Sequence, residues 1–203
     1  VSMKSQLDSS GLTEKIIKII QQNAANGGFS AEGDLSSNPL LRGKVADQLA
    51  TNRGLREVMY ALPTNMPVAN YSVSSDFGIR RHPISGMTHF HTGLDLLSET
   101  GDDKVHHVKP GVVVLAQPHP QYGNMVVIRH TNGVESLYGH LANFGVKVGD
   151  KVTTESVLGM IGNTGSSTGK HLHLEILIGG YPVNPQKVIR TAQYVQQIQN
   201  QQQ

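Results

Sequence analysis

Two histidines near the end of the sequence, His171 and His173, have the clearest capacity for chemistry. They stand two positions apart in "KHLHLEI", directly after the glycine- and serine-rich run "GNTGSSTG". In a β-strand successive side chains point to opposite faces, so both imidazoles would project from one face, within reach of one small ion. The pair alone is equally consistent with an ordinary polar sheet surface, and the rest of the sequence has to distinguish the two interpretations.

A second cluster, "HTGLD", supplies His91 and Asp95. These two residues are also an even number of positions apart, so they share a face if the segment is extended, and Gly93 permits a bend between them. Two imidazoles and one carboxylate are the protein ligands of a type of catalytic zinc site that leaves the fourth position open. The chain contains no cysteine, so any metal ion must be bound by nitrogen and oxygen atoms.

Hydrolysis at such a site needs two further groups. One must accept a proton from the attacking water, and the other must stabilise the charge that develops on the attacked carbonyl. His140, in "YGHL", and whichever of His171 and His173 is not a metal ligand would meet these needs. The spacing does not decide which member of that pair is the ligand.

The elements that must position these residues are predicted to be short strands. All 10 histidines lie between His82 and His173. In this region β-branched runs alternate with Gly, Asn, Asp and Pro, which is typical of an antiparallel sandwich or barrel. Gly149 and Asp150 predict the turn of a further hairpin. The predicted strands include "GVVVLAQ", "NMVVIRHT", "VESLYGHL" and "HLHLEILI".

The segments on either side of this region differ from it in pattern. "LTEKIIKIIQQNAAN" places its isoleucines on one helical stripe, and "NPLLRGKVADQLATNRGLREVMYAL" is consistent with one or two more short helices. We therefore expect a helical arm or linker over residues 1–68, a β domain over residues 69–188, and a Gln-rich tail over residues 189–203. The tail is expected to be helical only at its start.

The composition excludes some classes of partner. The formal net charge is +2 and there is no long run of like charge, so nucleic acid is not an expected partner. No apolar run approaches the roughly 20 residues that a membrane-spanning helix needs. The sequence begins at Val1 rather than Met. We expect an exported protein whose signal or anchor is not in this sequence.

Together these motifs resemble the lysostaphin/LytM-type zinc endopeptidases of bacterial cell walls. The resemblance runs from Ser75 to about Val188, in the family's order. It depends on "FGIRRHPISGMTHFHTGLDL", "PGVVV", "YGNMVVIRH", "SLYGHL", "VKVGDKV" and "IGNTGSSTGKHLHLEI".

The resemblance implies a role for each residue of the site. His91, Asp95 and His173 would bind one Zn²⁺ per chain, and His140 and His171 would form the catalytic pair. His171 would accept the proton and His140 would stabilise the oxyanion, although the two roles are interchangeable at this level. The implied fold is an antiparallel β sandwich or open barrel with a central groove that holds the zinc, preceded by a short helical arm.

The implied activity is hydrolysis of the peptide crosslinks of peptidoglycan, with the D-alanyl-diaminopimelate bond as the favoured target. The expected partner is the peptide stem of the wall, together with a possible regulatory protein; the oligomeric state is left open. The expected location is the periplasm or cell envelope. The alternative is a catalytically silent or self-inhibited module that activates another cell-wall hydrolase. All five polar residues are retained, which favours the enzyme.

Overall fold

The structure is a computed structural model that describes residues 44–81 and 87–200. The helix predicted at "LTEKIIKIIQQNAAN" lies outside the described residues, as does most of the arm. Two helices flank twelve strands within those ranges. The elements are α1 (Lys44–Ala61), β1 (Tyr71–Ser75), β2 (Gly78–Arg81), β3 (Thr88–His91), β4 (Leu94–Ser98), β5 (Lys104–Val105), β6 (Gly111–His119), β7 (Gly123–Arg129), β8 (Val134–Leu141), β9 (Lys151–Val152), β10 (Gly159–Met160), β11 (Leu172–Ile178), β12 (Tyr181–Val183) and α2 (Pro185–Asn200).

One antiparallel sheet dominates the fold. Its strand order is β1-β4-β11-β8-β7-β6-β9, with β12 paired to β11, and this path does not close into a barrel. Two smaller sheets, β2-β3 and β5-β10, complete the described strands. The prediction of a mainly β, antiparallel fold is confirmed. The order places β11 between β4 and β8, although β4 and β11 are far apart in sequence.

The alternation of side chains along β11 separates the core from a polar face. Leu172, Leu174 and Ile176 are completely buried in the hydrophobic core. His173 and Glu175 lie between them in sequence and therefore point to the opposite face, where they too are buried. A period of two thus lets a single strand contribute both to the apolar core and to a polar cluster.

Both helices contribute to the same core as the sheet. Val58 and Leu62, in and just after the last turn of α1, and Val188 and Ala192, in α2, belong to the hydrophobic cluster that contains the β11 leucines. The sequence predicts a helix only at the start of the tail, whereas α2 continues through the tail as far as Asn200. Neither helix in the described ranges has the length and apolarity needed to cross a membrane.

The prediction of a hairpin at Gly149 and Asp150 is correct for the turn but wrong for the strand pairing. The turn forms, with Gly149 at a φ of 92° and the Asp150 amide donating to the Lys147 carbonyl at 3.1 Å. The strand that follows, β9, pairs with β6 and not with the residues before the turn. Turn-forming residues determine a local bend, whereas the partner of the next strand depends on which sheet edge is available.

Candidate active site

His91, Asp95 and His173 come from three different strands. His91 is the last residue of β3, Asp95 lies in β4, and His173 lies in β11. Asp95 and His173 are directly opposite each other in the antiparallel ladder. Thr92 and Gly93 carry the chain from the small β2-β3 sheet into the main sheet, which brings His91 over the other two.

The three side chains converge on one point. His91 Nε2 lies 3.1 Å from Asp95 Oδ1 and 3.2 Å from His173 Nδ1, and His173 Nδ1 lies 2.8 Å from Asp95 Oδ1. A tetrahedral zinc ion with ligand bonds of about 2.0–2.1 Å has ligand atoms about 3.3 Å apart. These three atoms therefore already form a triangle close to one face of a zinc coordination tetrahedron.

Hydrogen bonds behind the cluster orient both imidazoles. His91 Nδ1 lies 2.8 Å from the Asp76 carbonyl, and His173 Nε2 lies 3.0 Å from Glu175 Oε1. An N–H at each of these positions would donate to the oxygen, leaving the lone pairs of His91 Nε2 and His173 Nδ1 directed at the shared point. Metal-binding histidines are commonly held by a carbonyl or carboxylate in this way.

Glu175 is a component that the sequence interpretation missed. Its Oε1 also accepts hydrogen bonds from Thr92 Oγ1 at 2.5 Å and from the Tyr122 hydroxyl at 2.9 Å. Burial raises the pKa of Glu175, but its hydrogen bonds to His173 and its neighbours outweigh burial and lower the pKa. The available signal was its position two residues after His173, on the same face of the strand.

The cluster is electrostatically suited to a cation. Burial raises the pKa of Asp95, but hydrogen bonds from His173 and His91 outweigh burial and hold that pKa far below its usual range. Burial lowers the pKa of His173, whereas its hydrogen bonds to Asp95 and Glu175 raise it to about 9. His173 thus lies between two ionised carboxylates, and their negative field favours a positive charge there, carried either by a proton on His173 Nδ1 or by a metal ion that replaces this proton.

His140 and His171 lie next to this triangle. Their ring centroids are 4.8 Å apart, the His140 ring is 5.9 Å from the His173 ring, and His171 Nε2 is 3.8 Å from Asp95 Oδ1. His140 Nδ1 lies 2.7 Å from the Thr164 carbonyl and His171 Nδ1 lies 2.8 Å from the Gly169 carbonyl. With an N–H at each Nδ1, both rings keep Nε2 available for substrate.

A left-handed backbone conformation directs His140 to this face. Gly139 is opposite His173 in the ladder and faces the same side, so regular alternation would turn the next side chain toward the core. His140 instead has a φ of 62°, a conformation that non-glycine residues rarely adopt. The His140 amide donates to the Tyr122 carbonyl, which helps to hold this bend. Burial lowers the pKa of His140 and so favours its neutral form.

The structure therefore brings all five sequence-predicted residues into one cluster. The other described histidines lie outside the triangle and the adjacent pair. His89 is exposed on the same face of the small sheet as His91, while His130 is buried between the Pro110 carbonyl and Ser136 Oγ. His82 lies outside the described residues.

Comparison with known proteins gives this cluster a context. The model of Peptidase family M23 matches residues 89–185, a range that contains all five residues. The chain belongs to peptidase family M23. It also resembles the solved catalytic domain of the prophage-encoded M23 protein EnpA from Enterococcus faecalis, with 31% identity and a TM-score of 0.52, over 62% of this chain and 95% of that one.

Two curated relatives are similar to part of this M23 chain. The DD-carboxypeptidase/endopeptidase Mpg of Neisseria meningitidis serogroup B is 44% identical over 122 residues, which is 60% of this chain and 28% of the relative. The peptidoglycan DD-endopeptidase ShyA of Vibrio cholerae serotype O1 is 41% identical over 120 residues, which is 59% of this chain and 28% of the relative. The match thus spans less than a third of the length of each curated relative.

The triangle of His91, Asp95 and His173 leaves no room for a side chain at position 93, and glycine is the residue that meets this requirement. A Cβ at Gly93 would lie 2.6 Å from the Leu174 carbonyl oxygen and 2.7 Å from His173 Cε1 and Nε2. We expect Gly93→Ala to displace the His173 ring, lower the free energy of unfolding by about 1–3 kcal/mol and weaken the binding of a metal ion at the triangle. Thermal unfolding and zinc content after dialysis measure the two effects.

The matched control for Gly93→Ala is Gly169→Ala, since a Cβ at Gly169 meets nothing within 4 Å. This control should unfold at the wild-type temperature and bind as much metal ion as the wild type. Equal stability and equal zinc content in both variants would show that the close approach at Gly93 is unimportant.

Proposed function

We propose that the chain contains a zinc-dependent endopeptidase domain that hydrolyses peptide crosslinks of bacterial peptidoglycan. The observation that supports this most directly is the convergence of His91, Asp95 and His173 next to the imidazole rings of His140 and His171. Family membership and the names of the two curated relatives point to the same class of reaction.

The donor set of the triangle fits zinc. Two imidazole nitrogens and one carboxylate oxygen, at the separations found here, leave one position open for substrate or water. His91, Asp95 and His173 would hold the ion. When bound, zinc would act as a Lewis acid on the scissile carbonyl and make water a stronger nucleophile near neutral pH.

The remaining two imidazoles would handle the protons. His140 and His171 each have Nδ1 close to a backbone carbonyl, so each would present Nε2 toward the space over Asp95. One of the pair would accept a proton from the attacking water, and the other would donate a hydrogen bond to the developing oxyanion. Their fixed orientation avoids a reorganisation cost when the substrate reacts.

The proposed substrate is a crosslink between D-configured centres, the D-alanyl-diaminopimelate bond. Both curated relatives carry DD in their names, and one is named for peptidoglycan. A domain of this activity would work outside the cytoplasm, in the periplasm or cell envelope. A silent interaction module is the weaker interpretation, because a group of three side chains able to hold a metal ion lies close to two further imidazoles, those of His140 and His171.

The decisive experiment is digestion of purified crosslinked muropeptide dimers by the zinc-loaded protein, followed by mass spectrometry. We expect each dimer to give two monomers whose summed mass exceeds the dimer by one water. A chelator should stop the reaction and added zinc should restore it. Intact dimers after incubation with fully zinc-loaded protein would refute the proposed activity.

A further inference from the structure

Arg80 is a cation next to the triangle that metal binding and proton transfer do not use. It lies in β2 directly opposite His89 of β3, while Gly78 is opposite His91. Residues opposite each other or two apart share a face of a β ladder, so Arg80 is on the same side of the small sheet as His91. This face is directed at the cluster, because Arg80 Nη2 lies 3.4 Å from Asp95 Oδ2.

The guanidinium of Arg80 makes few hydrogen bonds with the described residues. Its contact with Asp95 is long and involves a single nitrogen, and Nε is buried without a hydrogen-bond partner among the described residues. The side chain as a whole is 37% exposed, so part of it remains accessible to solvent. Arginine has five N–H donors in a planar fork that matches a carboxylate, and Nη2 alone of the Arg80 nitrogens has a hydrogen-bond partner among the described residues.

The two carboxylate oxygens of Asp95 face different groups. Oδ1 faces His91 and His173, whereas Oδ2 faces Arg80. If Oδ1 bound the cation of the proposed function, much of the carboxylate charge would be neutralised and its hold on Arg80 would weaken. The guanidinium would then be available to a second anion that binds beside the reacting centre.

We propose that Arg80 binds the free carboxylate on the carbon attached to the leaving amide nitrogen of the substrate. This inference rests on the proposed function and specifies its substrate. In a D-alanyl-diaminopimelate crosslink the leaving amine is on a carbon that carries a free carboxylate, and the same is true of a terminal D-alanine removed by a carboxypeptidase. An internal glycine of a bridge has no such group.

Covalent geometry places this carboxylate within reach of Arg80. The carboxylate carbon is three bonds from the scissile carbonyl carbon, which corresponds to about 3–4 Å. Arg80 Nη2 is itself only 3.4 Å from one of the proposed ligand side chains. A substrate held at the triangle therefore presents its leaving-group carboxylate close to the guanidinium, where a two-point interaction is strong and directional.

The test compares two synthetic crosslinked peptides that are identical except at this carboxylate, which is free in one and amidated in the other. Wild-type protein should cleave the free form with a kcat/KM about 10–100-fold higher, as expected for a charge-assisted hydrogen-bonded pair. Arg80→Gln should cleave both peptides at the slow rate that wild type shows on the amidated one. Arg80→Lys should recover part of the preference, because it keeps the charge without the fork.

Two further measurements distinguish substrate binding by Arg80 from a purely structural role: the zinc content of the Arg80 variant and the peptide preference of a surface-arginine variant. Arg80→Gln should keep wild-type zinc content, and Arg129→Gln, which removes an arginine paired with Glu135 at the surface, should keep the full preference. Equal cleavage of both peptides by wild type would overturn the proposal. An equal loss on both peptides in Arg80→Gln, with or without zinc loss, would make Arg80 a positioning residue for Asp95 and also overturn it. Failure of wild type to cleave either peptide would instead refute the proposed function on which this inference rests.

Discussion

Replacing Asp95 by asparagine is expected to release zinc and lower kcat/KM on crosslinked muropeptides by ~10³-fold or more. The change keeps the shape of the side chain but removes the charge that faces His91 and His173. It also removes the carboxylate charge that faces Arg80 Nη2, so this cation would lose its ion-pair partner among the described residues. Emission spectroscopy of the dialysed protein measures the metal, and mass spectrometry of digests measures turnover.

Asp102→Asn is the matched control for the ligand variant. Asp102 is exposed and accepts only a local hydrogen bond from the Lys104 amide among the described residues. This variant should retain both zinc and activity. A zinc-replete and active Asp95→Asn protein would show that the triangle is not the metal site, and the central proposal would then fail.

Removing either His140 or His171 is expected to lower kcat by ~10² or more while zinc stays bound. Asparagine is the better replacement for His140, because it tolerates the φ of 62° found at this position. The same replacement at His171 keeps the comparison matched. The double variant should be little worse than either single variant, because groups that act as one unit give non-additive losses.

His106→Asn provides the control for these two variants. The His106 ring lies outside the cluster and contacts the Ser156 carbonyl through Nδ1. Its removal should leave kcat unchanged. Loss of zinc from His140→Asn or His171→Asn would indicate that the ring serves the metal directly, and an unchanged kcat would exclude it from the reaction.

The local pattern of the sequence was sufficient to predict the polar face of the sheet. The two-residue period of "HLHLE" separates Leu172 and Leu174, which fill the core, from His173 on the opposite face. This outcome needs no tertiary information, because alternation is a property of an extended chain. The same rule also placed Glu175 beside His173, although that consequence was not drawn from the sequence.

The strand pairing after the turn at Gly149 and Asp150 illustrates why other features could not be predicted. Their residue types indicated a turn, and the turn is present. The pairing of β9 with β6 required the position of a strand edge almost 40 residues earlier in the chain. In the same way, Val188, Ala192 and Val195 recur at helical spacing in the sequence of α2, but the core against which this stripe packs is decided by the tertiary structure.

The sequence by itself determined the residue types for metal binding, their alternation within each strand, and the resemblance to a peptidase family. Only the tertiary structure decided that β4 lies beside β11, which sets Asp95 opposite His173. It alone also turned His140 toward the site through a left-handed φ and placed Arg80 over Asp95. The physical reason is that side-chain alternation is local, whereas strand order and backbone bends are selected by packing of the whole sheet.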